Sequence, residues 1–526
     1  MHSKVKQMNC KLLAPTAAIA FLGAGMIQCR PNEEKPMNVV FFLVDDLGWS
    51  DIGCYGSRFY ETPHIDRFAS EGVRFTSAYA ACHVCSPSRA SIMSGKYPAS
   101  LNLTDWLPGR LDFPFQKLKN VQINQHLPYG EATIPKVLQE KGYRTAIFGK
   151  WHLGEDSAST ARQGFDIHVP EGWNKGWPNT GYFSPYGMKG LKDVDDGEYL
   201  TDRLTDEALK YMEGNRERPF FLYLSHFAVH DPIEGRPDLV EKYRKKRTQI
   251  PVQEERPYIL EGNPDSKATP DSAAHVGYRI FADQTVKIKQ DQDNVEFAAM
   301  VGSMDESLGR VLAKLEELKL DERTIVIFYS DNGGMSAANF YEHDRIIPED
   351  ELDKAFSTSN LPLRGGKGWL YEGGTRVPLI IKWPGKGLEG ALCDVPVTSP
   401  DFFPTILEML GIPMPQGVKT DGMSMVPLLK GESKIDRNAV FWHFPHYSNH
   451  GTQSPGGAVR SGNYKLLEYY ENYTVQLFDL KNDIGEQHDL SAVEPEKVKE
   501  LQKMLHDWRE RTDAKMMEPN PNYQLQ

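Results

Sequence analysis

Cysteine is scarce in this chain, with six among 526 residues, and two of them, Cys10 and Cys29, lie in or beside an apolar amino-terminal segment. The other four, Cys54, Cys82, Cys85 and Cys393, are too few for a disulfide framework, so a packed core must hold the fold. Positive charge is also short. Lys and Arg number 60 against 72 Asp and Glu, a net charge of −12, which argues against nucleic acid or an anionic membrane surface as partner. No internal repeat or low-complexity stretch is present. No apolar run is long enough to serve as a transmembrane segment, because the one from Leu12 to Ile27 is too short to span a bilayer.

That run follows Lys4, Lys6 and Lys11, the pattern of an export signal over residues 1–28. Cys29 after Met26-Ile27-Gln28 faintly resembles a bacterial lipobox, although Gln28 stands where a small residue is expected. The expected location is therefore exported, periplasmic or lipid-anchored at the cell surface of a bacterium. The length suits one large domain and a smaller one, and 40 % apolar with 11 % aromatic residues is ordinary for a globular enzyme.

What the sequence does carry is a series of apolar strands with polar endings. Residues 38–44 form a continuous apolar, β-branched and aromatic run, the signature of a doubly covered strand, and end in Asp45-Asp46-Leu47-Gly48. Two adjacent acids there are costly unless a cation pairs with them; the alternative is a pair of capping acids in a solvated loop. Residues 145–149 follow a helix over 134–141 and end in Lys150-Trp151-His152. Residues 220–224 lead to His226 and His230, and residues 324–329 to Asp331-Asn332-Gly333, where Asn-Gly is by itself also a turn signal. Helical patterns cover 199–213 and 300–315, and a polar insertion covers about 236–293. Lys367 sits between glycines, which let backbone approach a ligand closely. Four strand ends with polar residues predict an α/β domain with a mostly parallel sheet and a site along one edge. After Gly431 come short strands at 439–444, 464–468 and 475–479 and an amphipathic helix with Leu501, Leu505 and Trp508. The expected division is 36–431 for the large domain and 432–526 for a small α+β subdomain.

The stretch around which the rest is organised is Cys85-Ser86-Pro87-Ser88-Arg89, running through Ala90-Ser91-Ile92-Met93-Ser94 to Gly95. Pro87 suits a first helical turn, and Ser86 and Ser88 suit capping. Cys85 would sit at the positive end of that helix, with Arg89 one turn on and on the same face. Cys82-His83-Val84-Cys85 also reads as a C-x-x-C pair, but it has no second half. The oxygen donors Asp45, Asp46, Asp331 and Asn332, from two strand ends, suit Ca²⁺ or Mg²⁺ rather than Zn²⁺.

The Cys-x-Pro-Ser-Arg string resembles the signature of the formylglycine-dependent (type I) sulfatases, and the likeness extends from about Asn38 to the final helix. It implies an alkaline-phosphatase-like α/β fold and oxidation of Cys85 by a maturation enzyme to formylglycine (3-oxoalanine). It also implies a single metal, usually Ca²⁺, at Asp45, Asp46, Asp331 and Asn332, next to the modified Cys85. Lys150 and His152 match the family's Gly-Lys-Trp-His motif, His230 a His-x-Pro motif with His226 as the alternative, and Lys367 a Gly-Lys-Gly motif. By the same resemblance Lys150 and Lys367 would neutralise sulfate oxygens, and Arg89 would hold the formylglycine and stabilise its oxyanion. His230 or Lys367 would protonate the leaving alcohol, and His152 would assist sulfate release.

The expected activity is hydrolysis of a sulfate ester on a carbohydrate such as a glycosaminoglycan, mucin or algal glycan fragment. His443, His446 and Arg460, with Trp173 and Trp177, are candidates for sugar recognition, against the plainer reading of a core strand and a solvated loop. Two alternatives stand beside this: a phosphodiesterase or phosphonate hydrolase of the same superfamily, and an inactive sulfated-sugar-binding protein.

Overall fold

All seven residues of the strand Asn38–Val44 are buried, because the sheet it centres is covered on both faces. Val40, Phe42 and Val44 pack into one apolar cluster with Met300, Met304 and Leu308 of the helix Val295–Glu317. Val39, Phe41 and Leu43 pack into another with Phe402, Phe403 and Ile406 of the helix Phe402–Met409. A run without polar alternation is what a strand between two such layers requires. The computed structural model describes residues 35–114, 116–154, 159–194, 197–250, 258–265, 285–337, 356–448, 450 and 453–524. The expected signal segment and Cys29 lie outside the described residues, as does much of the 236–293 insertion. No helix of the described residues is long and apolar enough to cross a membrane.

The main sheet runs in the order Ala391–Cys393, Val73–Tyr79, Arg376–Lys382, Thr324–Ser330, Asn38–Val44, Phe220–Ser225, Arg144–Gly149, Ile167–Val169. Asn38–Val44 pairs in parallel with Phe220–Ser225 and with Thr324–Ser330, and Arg144–Gly149 in parallel with Phe220–Ser225. Arg376–Lys382 runs antiparallel to both its neighbours, with Arg376 opposite Tyr79. That reversal has a consequence for the site. The segment entering Arg376–Lys382 lies at the same edge as the carboxyl ends of the parallel strands, so the glycine loop with Lys367 arrives where Asp45, Lys150, His230 and Asp331 do.

The described residues from 36 onward form one compact unit. Within it Val440–Phe444, Gly456–Ser461, Tyr464–Tyr469 and Val475–Asp479 form an antiparallel meander. One face packs on Tyr79, Trp369 and Tyr371, and the other on Leu501, Leu505 and Trp508 of the helix Pro495–Arg511.

Candidate active site

The helix Cys85–Ser94 begins at Cys85, and all ten of its residues are buried. Its serines do not cap it as expected. Val84 is the N-cap residue and provides no side-chain bond. Ser88 Oγ instead accepts from Cys82 N–H (3.1 Å) and donates to Cys82 O (2.9 Å), while Ser86 Oγ accepts from Leu107 N–H (3.1 Å). Both hydroxyls tie flanking chain to the helix, which fixes Cys85 without a conventional cap.

Around Cys85 the strand ends converge. Cys85 Sγ and carboxylate oxygens of Asp45 and Asp331 all lie within 4.8 Å of one another. Lys150 Nζ donates to Asp45 Oδ2 at 2.6 Å, and Lys367 Nζ to Asp46 Oδ2 at 2.7 Å. Lys367 Nζ is also 2.9 Å from His230 Nε2, and His230 Nδ1 is 2.7 Å from Asp231 Oδ1. Asp46 and His152 adopt left-handed φ values of 60° and 54°, uncommon for residues other than glycine and concentrated at functional sites. Gly149 is needed before Lys150: a Cβ there would lie 1.9 Å from Ser225 O.

Arg89 occupies the centre, with its Nε and Nη1 donors committed. Nε donates to Asp331 Oδ2 (2.7 Å), Nη1 to Ser225 Oγ (2.7 Å) and Lys150 O (2.9 Å), and Nη2 stands 3.3 Å from Asp45 Oδ1. Its recorded hydrogen bonds thus go to acids and strand ends rather than to Cys85, making it a clamp on Asp45 and Asp331. Ser225 and Asp231 were not singled out from the sequence. Their only signal is position, since Ser225 ends, and Asp231 follows, the strand that leads to His230.

Charge here is unevenly balanced. Burial and the neighbouring Asp331 push the Asp45 carboxyl above the usual carboxylate range, against Lys150 and Arg89. Burial also acts to raise Asp331, but Arg89 and Lys150 prevail and hold it low. Burial pulls the His230 imidazole down, with Lys367 assisting, yet Asp46, Asp231 and Asp45 together keep it above its ordinary value. His152 is driven well below its ordinary value by burial and Lys150. Its Nε2 lies 2.9 Å from Leu107 O, an acceptor only, so Nε2 carries the proton and Nδ1 is left with a lone pair and no partner.

The donor set suits a hard cation. Asn332 Oδ1 and Asp45 Oδ1 are buried without a hydrogen-bond partner, while Asn332 Nδ2 donates to Asp46 Oδ1 at 2.8 Å. Buried oxygens left open beside ionised carboxylates are what an oxygen-coordinated divalent ion would satisfy.

The remaining candidates separate. His226 packs on Phe42 and bonds Ser307 through Nε2 at 2.9 Å, within the layer of the Val295–Glu317 helix, which removes it as the alternative to His230. His443 has both nitrogens committed, to Tyr470 Oη (2.8 Å) and Lys515 O (2.9 Å). Arg460 bonds Tyr79 Oη and stacks over that ring, beside the buried Glu372. Among the described residues neither contacts the cluster around Cys85; both are held by neighbours of the second sheet. His446 bonds Thr104 Oγ1 at 2.8 Å, and Thr104 belongs to the segment that reaches the Cys85 helix through Leu107.

Comparison with known proteins fits this arrangement. Residues 37–412 match the family model described as sulfatase, and residues 366–515 match that of the N-sulphoglucosamine sulphohydrolase C-terminal region. A sulfatase of Formosa agariphila is 29 % identical over 94 % of this chain and 91 % of its own length. N-acetylglucosamine-6-O-sulfatase of Bacteroides thetaiotaomicron is 26 % identical over 96 % and 91 %. A crystal structure of Ps i-CgsB with k-i-k-neocarrahexaose superposes with a TM-score of 0.67 at 26 % identity, covering 90 % of this chain and 93 % of that one.

Proposed function

The chain belongs to the sulfatase family, and from that premise we propose that it hydrolyses a sulfate ester of a carbohydrate, using formylglycine at Cys85 and one divalent metal, Ca²⁺ or Mg²⁺, at Asp45, Asp46, Asp331 and Asn332. The observation that carries this is the meeting of Cys85 with Asp45 and Asp331 within 4.8 Å, between the Lys150 and Lys367 ammonium groups. The sugar-named relatives, one of which acts on N-acetylglucosamine-6-O-sulfate and one of which was crystallised with a carrahexaose, support the carbohydrate class. Residues 1–28 are assigned as an export signal, 36–431 as the catalytic domain and 432–526 as a subdomain that backs it, with the protein exported to the periplasm or cell surface.

Asp45, Asp46, Asp231 and Asp331 set four carboxylates against the three cations Lys150, Lys367 and Arg89. A bound divalent ion would turn that excess negative charge positive and draw electron density from a sulfate oxygen. Converted to formylglycine, Cys85 supplies a hydrated aldehyde, with one hydroxyl to attack sulfur and a second to release sulfate. The chain does the rest. Lys150 and Lys367, fixed by Asp45 and Asp46, face the charge that develops on the transferring group in a site shielded from water. His230 Nδ1–H donates to the Asp231 carbonyl oxygen, so Nε2 accepts from Lys367 and one proton is held between them for the leaving alcohol. His152 Nδ1, kept as a free base by the Leu107 carbonyl, takes the proton of the second hydroxyl.

The test is peptide mass spectrometry of protein co-expressed with a formylglycine-generating enzyme, with sulfate release measured on sulfated mono- and disaccharides. Conversion lowers the mass of the Cys85 peptide by about 18 Da. Activity is expected to vanish on chelation and return with Ca²⁺ or Mg²⁺. An unmodified Cys85 beside a control sulfatase that is modified in the same cells would refute the mechanism.

A further inference from the structure

Next to the catalytic cluster lies a second group of buried polar side chains with no task in the chemistry above. His83, two residues before Cys85, is 1 % exposed, and neither ring nitrogen has a hydrogen-bond partner. Its ring stands edge-on to Phe444 with the centroids 4.2 Å apart, and the His446 ring stands edge-on to the same phenyl at 5.2 Å. Among the described residues, His450 likewise has both nitrogens buried and unpartnered, and His446 leaves Nδ1 so. Gly368 joins these to the catalytic loop. Its N–H donates to His83 O at 3.0 Å, and a Cβ there would fall 2.3 Å from His450 O. Arg110, paired with Asp105 at 3.2 Å, reaches all three imidazoles with its charge, and His450 also senses Lys367 and His230. His450 is thus within electrostatic reach of both groups.

Five buried imidazole nitrogens without partners are not explained by packing, since each gives up hydration for nothing in return. Their chemistry specifies what would satisfy them. A neutral imidazole offers one N–H and one lone pair, so a set of them asks for groups that both donate and accept. Hydroxyls do this. A sulfate or carboxylate, an acceptor only, would leave the lone pairs open.

We propose that His83, His446 and His450, around the Asp105–Arg110 pair, form a pocket for the uncharged, hydroxyl-bearing face of the sugar whose sulfate is cleaved at Cys85. This rests on the sulfatase reading above and adds the class of sugar group recognised. It needs no contribution from His443 or Arg460.

The test uses the mature, metal-loaded full chain. Sulfate release is measured on O-sulfated methyl glycosides of galactose and N-acetylglucosamine, on their deoxy analogues, on an acid-bearing sulfated sugar, and on 4-nitrophenyl sulfate. With the unaltered protein, loss of at least one ring hydroxyl should lower kcat/KM tenfold or more. For His83→Leu and His450→Leu, the ratio of kcat/KM on sugar sulfate to that on aryl sulfate should fall at least tenfold, with a smaller fall for His83→Gln. This ratio does not depend on how much of a variant folds or matures. An unchanged ratio, or deoxy analogues cleaved as well as their parents, would overturn the pocket. A fall confined to the acid-bearing sugar would overturn the hydroxyl class. Absence of sulfate release from every substrate, aryl sulfate included, would instead defeat the sulfatase reading, and the pocket with it.

Discussion

Lys367 meets Asp46 and His230 at once, and its single ammonium group has two duties that one substitution can separate from the rest of the site. Lys367→Met keeps the stem and removes both the charge and the proton. Turnover of sugar sulfates should fall by roughly 10²–10⁴-fold. The loss should shrink along a series of aryl sulfates with increasingly acidic phenols, because a good leaving group needs no proton; kcat against leaving-group pKa is the measurement. Arg89 acts differently, through two acids held by one planar fork. Arg89→Lys retains the charge but not that geometry, so affinity for the metal should fall about 10–100-fold in a calcium titration of the mature protein.

Between elements, Asp305 of the helix Val295–Glu317 receives the amino-terminal N–H groups of the helix Pro63–Ser70, from Ile65 at 2.8 Å and His64 at 3.3 Å. Burial, with Asp66 and Glu306 nearby, pushes its carboxyl up to about 7, against the pull of those two bonds. A carboxyl raised on folding binds its proton more tightly in the folded chain, so its contribution to stability is complete below about 4 and lost as pH climbs through about 7. Asp305→Asn removes that titration. Thermal midpoints of the two proteins, measured from pH 4 to 8, should show the unaltered chain declining relative to the variant across that window.

How far such elements can be read in advance varies with how local their cause is. Residues 39–44 are legible because burial on both faces leaves no polar position in the run. The strand Gly456–Ser461 is not, since it opens with two glycines, and Gly457 is required by the closeness of Tyr470 and Arg509, far off in sequence. Arg376–Lys382 is legible only over its apolar centre, because Arg376 and Pro378 obscure its start, and nothing local announces its antiparallel direction. The site follows the same rule. Cys85 heads a helix, and Asp45, Lys150, Asp331 and Lys367 stand at strand ends or in a glycine loop; all are visible in the sequence. The commitments of His443 to Tyr470 and Lys515, and of Arg460 to Tyr79, are tertiary and are not.

Across the whole molecule, the two sheets are joined by a buried ionic knot. Lys465, fully buried, lies 2.9 Å from Glu372 and 3.2 Å from Glu486, and Glu372 also accepts from Tyr79 Oη at 2.8 Å. Glu372 closes the loop that carries Lys367, so the second sheet braces the catalytic edge without entering it. Lys465→Met would leave Glu486 without its buried cation and Glu372 with Arg376 alone, costing about 3–5 kcal/mol of stability. Differential scanning calorimetry should show a clear drop in the thermal midpoint.

The burial of Cys85, only 3 % exposed at the head of a helix with no exposed residue, sets an order of events in the life of the chain. The maturation proposed above would have to reach this thiol before the sheet closes, so maturation and folding would compete in time. Each molecule has one opportunity. A preparation made faster than its maturase can work would contain a fixed fraction of permanently unconverted chains, and later incubation with that maturase would not raise it unless the protein were first unfolded.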